Sequence, residues 1–142
     1  DYIPLAQSAR RLGRTVVLYF ADVDGLKQIN DELGHAQGDR LLADVADILR
    51  AVFRETDVIA RLGGDEFVVL ALEAPDIDTT ASLVRLDEHL NQFNSSARRP
   101  YRVGVSVGVA QHGAESAESL AELLGRADAG MYQVKQQRRA TR

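Results

Sequence analysis

Hydrophobic residues recur at helical spacing in three long stretches of the chain. The spacing is close to 3.6 residues, which places these side chains on one face of an amphipathic helix. Stretch by stretch, the periodic residues are Leu41, Leu42, Val45, Ile48, Leu49 and Val52; Leu83, Leu86, Leu90 and Phe93; and Leu120, Leu123, Leu124, Ala127 and Met131. A shorter helix is predicted from about Gly25 to Leu33, because Gly34 is a natural C-terminal cap.

Three other hydrophobic runs have the length and composition of β-strands. The run TVVLYFADVD (15–24) is apolar until its acidic end, as expected for a central strand buried on both faces. The runs DVIARL (57–62) and EFVVLAL (66–72) flank Gly63 and Gly64. A glycine pair between two such runs predicts a hairpin, since glycine reaches the positive φ angles of the favoured turns.

A fourth run, YRVGVSVGVA (101–110), alternates large and small residues. Valines occupy one face of the predicted strand, while Gly104, Ser106 and Gly108 leave the other face nearly bare. We expect a helix or another backbone to lie close against that bare face. The predicted order is strand, two helices, hairpin, helix, strand and helix, which indicates an α/β fold with a mixed, largely antiparallel sheet.

Composition and charge narrow the class of protein. The 142 residues, 45% apolar and 27% charged, suit one globular domain spanning 1–142. No cysteine is present, which suits a reducing compartment. Any metal would therefore be held by oxygen or histidine, and such ligands favour hard cations. The net charge of −4 argues against a general nucleic-acid binder, and it would repel a polyphosphate unless metal ions or local basic groups offset it.

The chain has neither an apolar run long enough to cross a bilayer nor a signal-peptide pattern, and it lacks an initiator methionine. We therefore expect a fragment of a longer protein. The fragment is expected to be cytoplasmic, without membrane contact of its own, and the parent protein can be membrane-anchored.

Acidic residues mark the candidate chemistry. If the first strand lies beside the hairpin, Asp22 meets Asp65 and Glu66 at one edge of the sheet. Three like charges cost stability unless a cation or a basic side chain joins them, and Mg²⁺ prefers such oxygen ligands. Gly63 and Gly64 would then let a phosphate lie on backbone N–H groups. Taken alone, a hairpin whose acids face water is the commoner explanation of this motif.

The stretch between the first strand and the second helix carries further polar residues. Asn30 shares a predicted buried helical face with apolar residues, and a buried amide needs a partner. A carboxylate such as Asp39 matches the paired N–H groups of guanine, and an amide can both donate and accept. Asp39 can equally be a helix N-cap, and we favour that role for Asp24. Lys27 fits either a surface position or a phosphate contact.

Several motifs in this order resemble the GGDEF domain of diguanylate cyclases, over roughly Leu12 to Arg139. The motifs are DVDGLKQINDELGHAQGD, RETD, RLGGDEF, VSVGVA and ADAGMYQVK. The resemblance implies a fold related to class III nucleotide cyclases and to the palm of DNA polymerases, with a five-stranded sheet whose last strand lies beyond Arg139. It also implies a reaction in which two GTP condense to cyclic di-GMP and release two pyrophosphates.

The resemblance implies roles for individual residues. Asp22, Asp65, Glu66 and the main-chain carbonyl of Val23 match the ligands of Mg²⁺ or Mn²⁺, and Asp65, Glu66 and Lys27 match catalytic positions. The residues that match the substrate site are Asn30 and Asp39 for guanine, and Gly63, Gly64, Lys27, Lys135 and Arg139 for the phosphates. Arg54 and Asp57 match an inhibitory site for the product cyclic di-GMP. Arg138 stands where the family usually has glycine.

Three functions of different classes remain open at this point. The first is an active cyclase, in which two domains must face each other as a transient or regulated homodimer, so that each 3′-hydroxyl attacks the other α-phosphorus. The second is a non-catalytic regulatory domain that binds GTP or cyclic di-GMP. The third is a structural dimerisation module, which would leave the acidic cluster unexplained. For Arg54 and Asp57, a simple ion pair near a helix end is the alternative to an inhibitory site.

Overall fold

A computed structural model describes residues 2–140, with side chains from residue 3 onward. Five helices and four strands are found along these residues. The helices are α1 (Tyr2–Leu12), α2 (Leu26–Leu33), α3 (His35–Val52), α4 (Thr79–Ser96) and α5 (Leu120–Ala140). The strands are β1 (Thr15–Val23), β2 (Val58–Gly63), β3 (Glu66–Glu73) and β4 (Val105–His112). No helix within residues 2–140 is long and apolar enough to cross a membrane.

The four strands form one sheet in the order β2-β3-β1-β4, and every pairing is antiparallel. All nine residues of β1 are buried, which confirms its predicted central position. The predicted α/β fold with a largely antiparallel sheet is confirmed, but within residues 2–140 the sheet has four strands instead of five and contains no parallel pair. The fifth strand was expected beyond Arg139, but Arg139 lies inside α5, and residues 141–142 lie outside the described part of the chain.

The alternation of side chains along β1 divides the core into two layers. Odd-numbered residues, such as Val17 and Tyr19, pack with α3 and α4, where the Tyr19 and Phe53 rings lie 4.9 Å apart. Even-numbered residues, such as Leu18 and Phe20, pack with α1 and α5. Asp22 continues the even-numbered series, so the strand presents it on the side that α5 covers.

The bare face of β4 lies against α5, as its small residues predicted. A Cβ atom on Gly108 would overlap the carbonyl oxygen of Ala127 and the amide nitrogen of Met131. The helix backbone therefore lies directly on the strand at this point. This close contact sets the height of α5 above the sheet and carries its last turns toward the end of β1.

Two helix starts differ from the sequence-based expectation. Asp24 is not an N-cap: α2 begins one residue after Gly25, whose left-handed φ of 73° makes the turn without a side-chain cap. Asp39 is not an N-cap either, because α3 begins at His35, just after Gly34. Glycine occupies the N-cap position of both helices with a positive φ, which other residues rarely adopt, so neither helix has a capping side chain.

The hairpin of β2 and β3 is confirmed, but its turn differs from the prediction. Gly64 and Asp65 form the turn, and the glycines with positive φ among residues 2–140 are Gly13, Gly25 and Gly34. An irregularity between Arg61 and Gly63 shifts the register of β2, which bends the hairpin without a turn of the primed type. Helix α1 was also missed, because its exposed Ile3 and Leu12 blur the apolar stripe of the helix.

Candidate active site

The acidic residues of the strand ends are brought together by the register of the sheet. Asp22 lies opposite Glu66 on β3 and opposite Ser106 on β4, so all three belong to the sheet face that α5 covers. The amide of Val23 donates a hydrogen bond to the carbonyl oxygen of Asp65 at 2.8 Å. This bond ties the hairpin turn to the last residue of β1 and keeps the main chain of Asp65 beside Asp22.

Lys135 on α5 is the basic partner of this acidic edge. Its ammonium nitrogen lies 2.9 Å from Oδ2 of Asp22, whose other oxygen, Oδ1, is buried without a hydrogen-bond partner among the described residues. Burial raises the pKa of Asp22, Lys135 opposes that shift, and the nearby Asp65 carboxylate adds to it. The sequence left a cation or a basic side chain open as the partner of the acids, and this structure contains the lysine.

The three carboxylates do not form a ready-made metal cluster. Within residues 2–140, no group of three or more His, Cys, Asp or Glu side chains is arranged to hold a metal ion. The Glu66 carboxylate lies beside Gly63, where its Oε1 would be 3.5 Å from an added Cβ. The buried, unpartnered oxygen of Asp22 and the carboxylate of Asp65 are nevertheless hard oxygen donors, so these residues fit a hard divalent cation.

The turn of the hairpin is open on its outer side. A Cβ on Gly64 would meet no atom within 4 Å, so space remains beside the main chain. Arg61 Nη1 donates to the carbonyl oxygen of Gly64 at 3.1 Å and thereby fixes the turn from the strand side. Gly64 is exposed, so an anion of the size of a phosphate has room beside the main chain at this turn.

Asn30 and Asp39 lie where α2 packs against α3. The half-buried amide of Asn30 rests on Gly38, so closely that a Cβ there would overlap the amide oxygen. Asp39 is the next residue of α3, and its side chain is exposed. Lys27 is exposed on the first turn of α2. Gly38 is a residue of this site that the sequence analysis missed, although its position next to Asp39 was a usable signal.

Arg138 attaches the end of α5 to the ends of β1 and β4. Its Nη1 donates to Oδ2 of Asp24 at 3.1 Å and to the carbonyl oxygen of Val105 at 2.9 Å. Ser106 Oγ donates to the other Asp24 oxygen at 2.9 Å. A cavity of about 160 Å³ lies here, lined by Asp24, Gly25, Ser106, Lys135, Arg138 and Arg139. Lys135 and Arg139, which were predicted to act together, therefore face the same space.

Arg54 and Asp57, the pair predicted as an inhibitory site, form an ion pair just before β2. Two nitrogens of the guanidinium, Nη2 and Nε, lie 3.2 and 3.5 Å from the two carboxylate oxygens of Asp57, and the Arg54 amide donates to the same carboxylate at 2.9 Å. The hydrogen bond to Asp57 raises the pKa of Arg54. Beside the pair lies a cavity of about 370 Å³, lined by Arg50, Arg54, Glu55, Asp57 and Ile59.

The family model described as the GGDEF domain of diguanylate cyclases matches residues 4–141. The chain belongs to this family. The bifunctional diguanylate cyclase/cyclic di-GMP phosphodiesterase MucR of Pseudomonas aeruginosa is 39% identical over 133 residues. That match covers 94% of this GGDEF domain and 19% of the relative, so the chain spans about a fifth of the length of MucR.

Solved structures support the fold of this GGDEF domain. The diguanylate cyclase SiaD of Pseudomonas aeruginosa, solved with its activator SiaC, matches with a TM-score of 0.79 and 30% identity, over 96% of this chain and 54% of that one. The GGDEF domain of DgcB from Caulobacter crescentus, solved in complex with c-di-GMP, matches with a TM-score of 0.77 and 25% identity, over 95% and 82% of the two chains.

Proposed function

We propose that this GGDEF domain is a single catalytic domain that condenses two GTP into cyclic di-GMP and releases two pyrophosphates. The observation that carries the proposal is the arrangement at the end of β1. There Asp22 has one buried oxygen without a partner and the other on Lys135, beside the open hairpin turn. A buried carboxylate is costly to keep unless a ligand uses it, and a metal-triphosphate complex would satisfy both Asp22 and Lys135.

The cofactor in this proposal is Mg²⁺ or Mn²⁺. Asp22, Asp65 and Glu66 would hold it with the main-chain carbonyl of Val23, because these are the oxygen donors at the edge of the sheet. When bound, the cation supplies positive charge that stabilises the phosphate oxygens in the transition state. The buried position of Asp22 favours that role, since a nearby cation offsets the cost of keeping its carboxylate ionised.

The chain's own residues bind and orient the nucleotide. In the proposed complex, the N–H groups of Gly63 and Gly64 contact the phosphates from the hairpin side. Lys135 and Arg139 contact them from α5, and Lys27 approaches from the first turn of α2. These basic groups offset the domain's net charge of −4, which would otherwise repel the triphosphate.

Guanine selection is assigned to the junction of α2 and α3. The carboxylate of Asp39 would accept the paired N–H groups of guanine, and the amide of Asn30 would donate to and accept from its remaining edge. Adenine lacks the N1–H and the 2-amino group, so it would leave Asp39 unpaired. A polar group left without its partner makes discrimination large.

The reaction needs two such domains. Each GTP offers its 3′-oxygen to the α-phosphorus of the other, a new phosphodiester bond forms, and the bond from the α-phosphorus to the leaving pyrophosphate breaks. Glu66 or Asp65 would take the hydroxyl proton as the oxygen attacks. Because two substrates must be aligned, a homodimer that orients them could supply up to about 7 to 11 kcal/mol of barrier reduction.

Arg54 and Asp57 are assigned to product inhibition. Cyclic di-GMP carries two phosphodiester charges and guanine edges, which an arginine and a carboxylate can bind together. Binding there would hold two domains in an arrangement that keeps their active sites apart. The cavity of about 370 Å³ beside this pair supports the assignment.

The same pair supports the alternative function, a regulatory domain that binds cyclic di-GMP without making it. Incubation of the domain with GTP and Mg²⁺ separates the two functions. The cyclase proposal requires two pyrophosphates for every cyclic di-GMP, and ATP must yield neither product. If a dimeric form of the domain binds cyclic di-GMP but does not turn over GTP, the regulatory function replaces the cyclase function.

A further inference from the structure

The guanidinium of Arg54 is shared with a second carboxylate, which the family motif does not include. Its Nη2 lies 2.6 Å from Oε1 of Glu73, the last residue of β3, and 3.2 Å from the carbonyl oxygen of Leu72. The Glu73 side chain is only 14% exposed, whereas that of Arg54 is 55% exposed. The ion pair with Glu73 is thus held on the inner side of a guanidinium that otherwise faces the cavity.

A guanidinium has two edges that can each grip an anion with a pair of N–H groups. Asp57 occupies the edge formed by Nε and Nη2. The other edge is formed by Nη1 and Nη2, and its Nη2 is also in contact with Glu73. A phosphate that binds both Nη1 and Nη2 of Arg54 would therefore compete with Glu73 for Nη2.

The charges around the cavity also oppose the binding of an anionic ligand. Two basic residues in its lining, Arg50 and Arg54, are matched by two acidic ones, Glu55 and Asp57. Glu73 adds one further negative charge at the guanidinium. A ligand with two phosphodiester charges would enter a region that this residue makes negative, and an unfavourable charge opposes such binding.

We propose that Glu73 is a built-in competitor that weakens the binding of a cyclic dinucleotide at Arg54 and Asp57. This inference rests on the proposed product site and names the residue that sets its affinity. Glu73 is not needed to hold Arg54 in place, because Asp57 and the Leu72 carbonyl already hold the guanidinium. Its effect on this domain is to raise the product concentration at which feedback begins.

Calorimetric titration with cyclic di-GMP tests the inference in Glu73→Gln. The variant keeps the size of the side chain and removes its charge, so binding should become about tenfold tighter. Glu55→Gln is the matched control, because Glu55 lines the same cavity and no hydrogen bond to Arg54 is found for it within residues 2–140. It should change the affinity by about twofold or less, as expected for an exposed charge.

A second variant guards against a folding defect. Glu73→Asp retains the charge on a shorter side chain that lies farther from Nη2. The affinity for cyclic di-GMP should therefore rise, but less than in Glu73→Gln. Unchanged or weaker binding in both folded variants would overturn the role of Glu73. Arg54→Ala separates the role of Glu73 from the existence of the product site. If this variant loses cyclic di-GMP binding, the product site stands even when the role of Glu73 is overturned. If it binds as well as wild type, the product site itself is contradicted.

Discussion

The ammonium nitrogen of Lys135 lies 2.9 Å from Oδ2 of Asp22, and this ion pair joins the last third of α5 to the end of β1. The pair combines a proposed phosphate ligand with a proposed metal ligand. In the absence of nucleotide, we therefore expect Lys135 to compete with a divalent cation for the same carboxylate. A triphosphate would offer Lys135 other anionic partners and leave Asp22 to the cation.

Replacing Lys135 with methionine should make the domain bind Mn²⁺ about tenfold more tightly when no nucleotide is present. The reason is that the variant removes the positive charge competing for Asp22. Mn²⁺ binding can be followed by electron paramagnetic resonance of the free ion. Lys27→Met removes an equal charge from the exposed first turn of α2 and should leave Mn²⁺ affinity nearly the same. Weaker Mn²⁺ binding in Lys135→Met would contradict the competition.

Replacing Gly38 with alanine should raise the KM for GTP by about tenfold or more. The new methyl group would overlap the side-chain oxygen of Asn30 and push that amide away from its proposed place beside guanine. Gly125→Ala is the matched control, because it is also helical and its Cβ would meet no atom within 4 Å. That control should stabilise the domain by about 0.5 to 1 kcal/mol. An unchanged KM in Gly38→Ala would remove Asn30 from the guanine site.

Replacing Arg138 with glycine, the residue usual in the family, should raise the KM for GTP several-fold. The change removes the bonds to Asp24 and to the Val105 carbonyl, so the turn that carries Lys135 is held less firmly. Gln136→Gly lowers helix propensity in the same turn by about the same amount, roughly 1 kcal/mol, and serves as the control. Steady-state kinetics of the two variants should differ, and equal KM values would show that only helix propensity matters.

A partly buried ionic network makes the stability of the domain depend on pH. Asp44 on α3 accepts hydrogen bonds from Arg99 Nε at 2.9 Å, from Arg99 Nη2 at 3.1 Å and from the Tyr101 hydroxyl at 2.5 Å. Burial alone would raise the pKa of Asp44, but these hydrogen bonds outweigh burial and the pKa is lowered. A lowered pKa means that the carboxylate stabilises the fold above about pH 4, and that this stabilisation is lost as the pH falls through the lowered value.

Asp44→Asn should therefore lower the Tm at pH 7 by about 5 °C, because it removes the buried partner of a partly buried charge pair. Asp47→Asn is the control: Asp47 lies on the same helix, and its ion pair with Arg50 is exposed, so a change of about 1 °C is expected. Thermal unfolding measured from pH 7 to pH 3 should show the difference between wild type and Asp44→Asn shrinking at the acidic end. A constant difference would mean that the carboxylate's charge plays no part.

Local patterns predicted most of the fold. The apolar spacing of Leu41 to Val52 and of Leu120 to Met131 identified two helices, and the buried run of β1 identified the central strand. The small residues of β4 predicted the contact that the structure places at Gly108. These signals succeed because each depends on a single element and on the layer that covers it.

The remaining features depend on contacts between distant parts of the chain. Nothing near Asp22 in the sequence indicates that Lys135 is its partner, since the contact requires α5 to cross the sheet at Gly108. Asp24 was assigned to a helix cap because capping is the local role of aspartate, whereas its actual partners, Ser106 and Arg138, come from β4 and α5. Glu73 meets Arg54 for a similar reason, through the pairing of β2 with β3.

The most direct test of the account is turnover by a forced dimer. The domain is joined to a parallel coiled coil so that two copies face each other, and it is supplied with GTP and Mg²⁺. We predict cyclic di-GMP with two pyrophosphates for each product molecule, and a loss of at least about 100-fold in rate in Asp22→Asn, since the metal contributes several kcal/mol. The exposed Asp31→Asn should retain the wild-type rate. A folded wild-type dimer that binds GTP yet releases neither product would contradict the account.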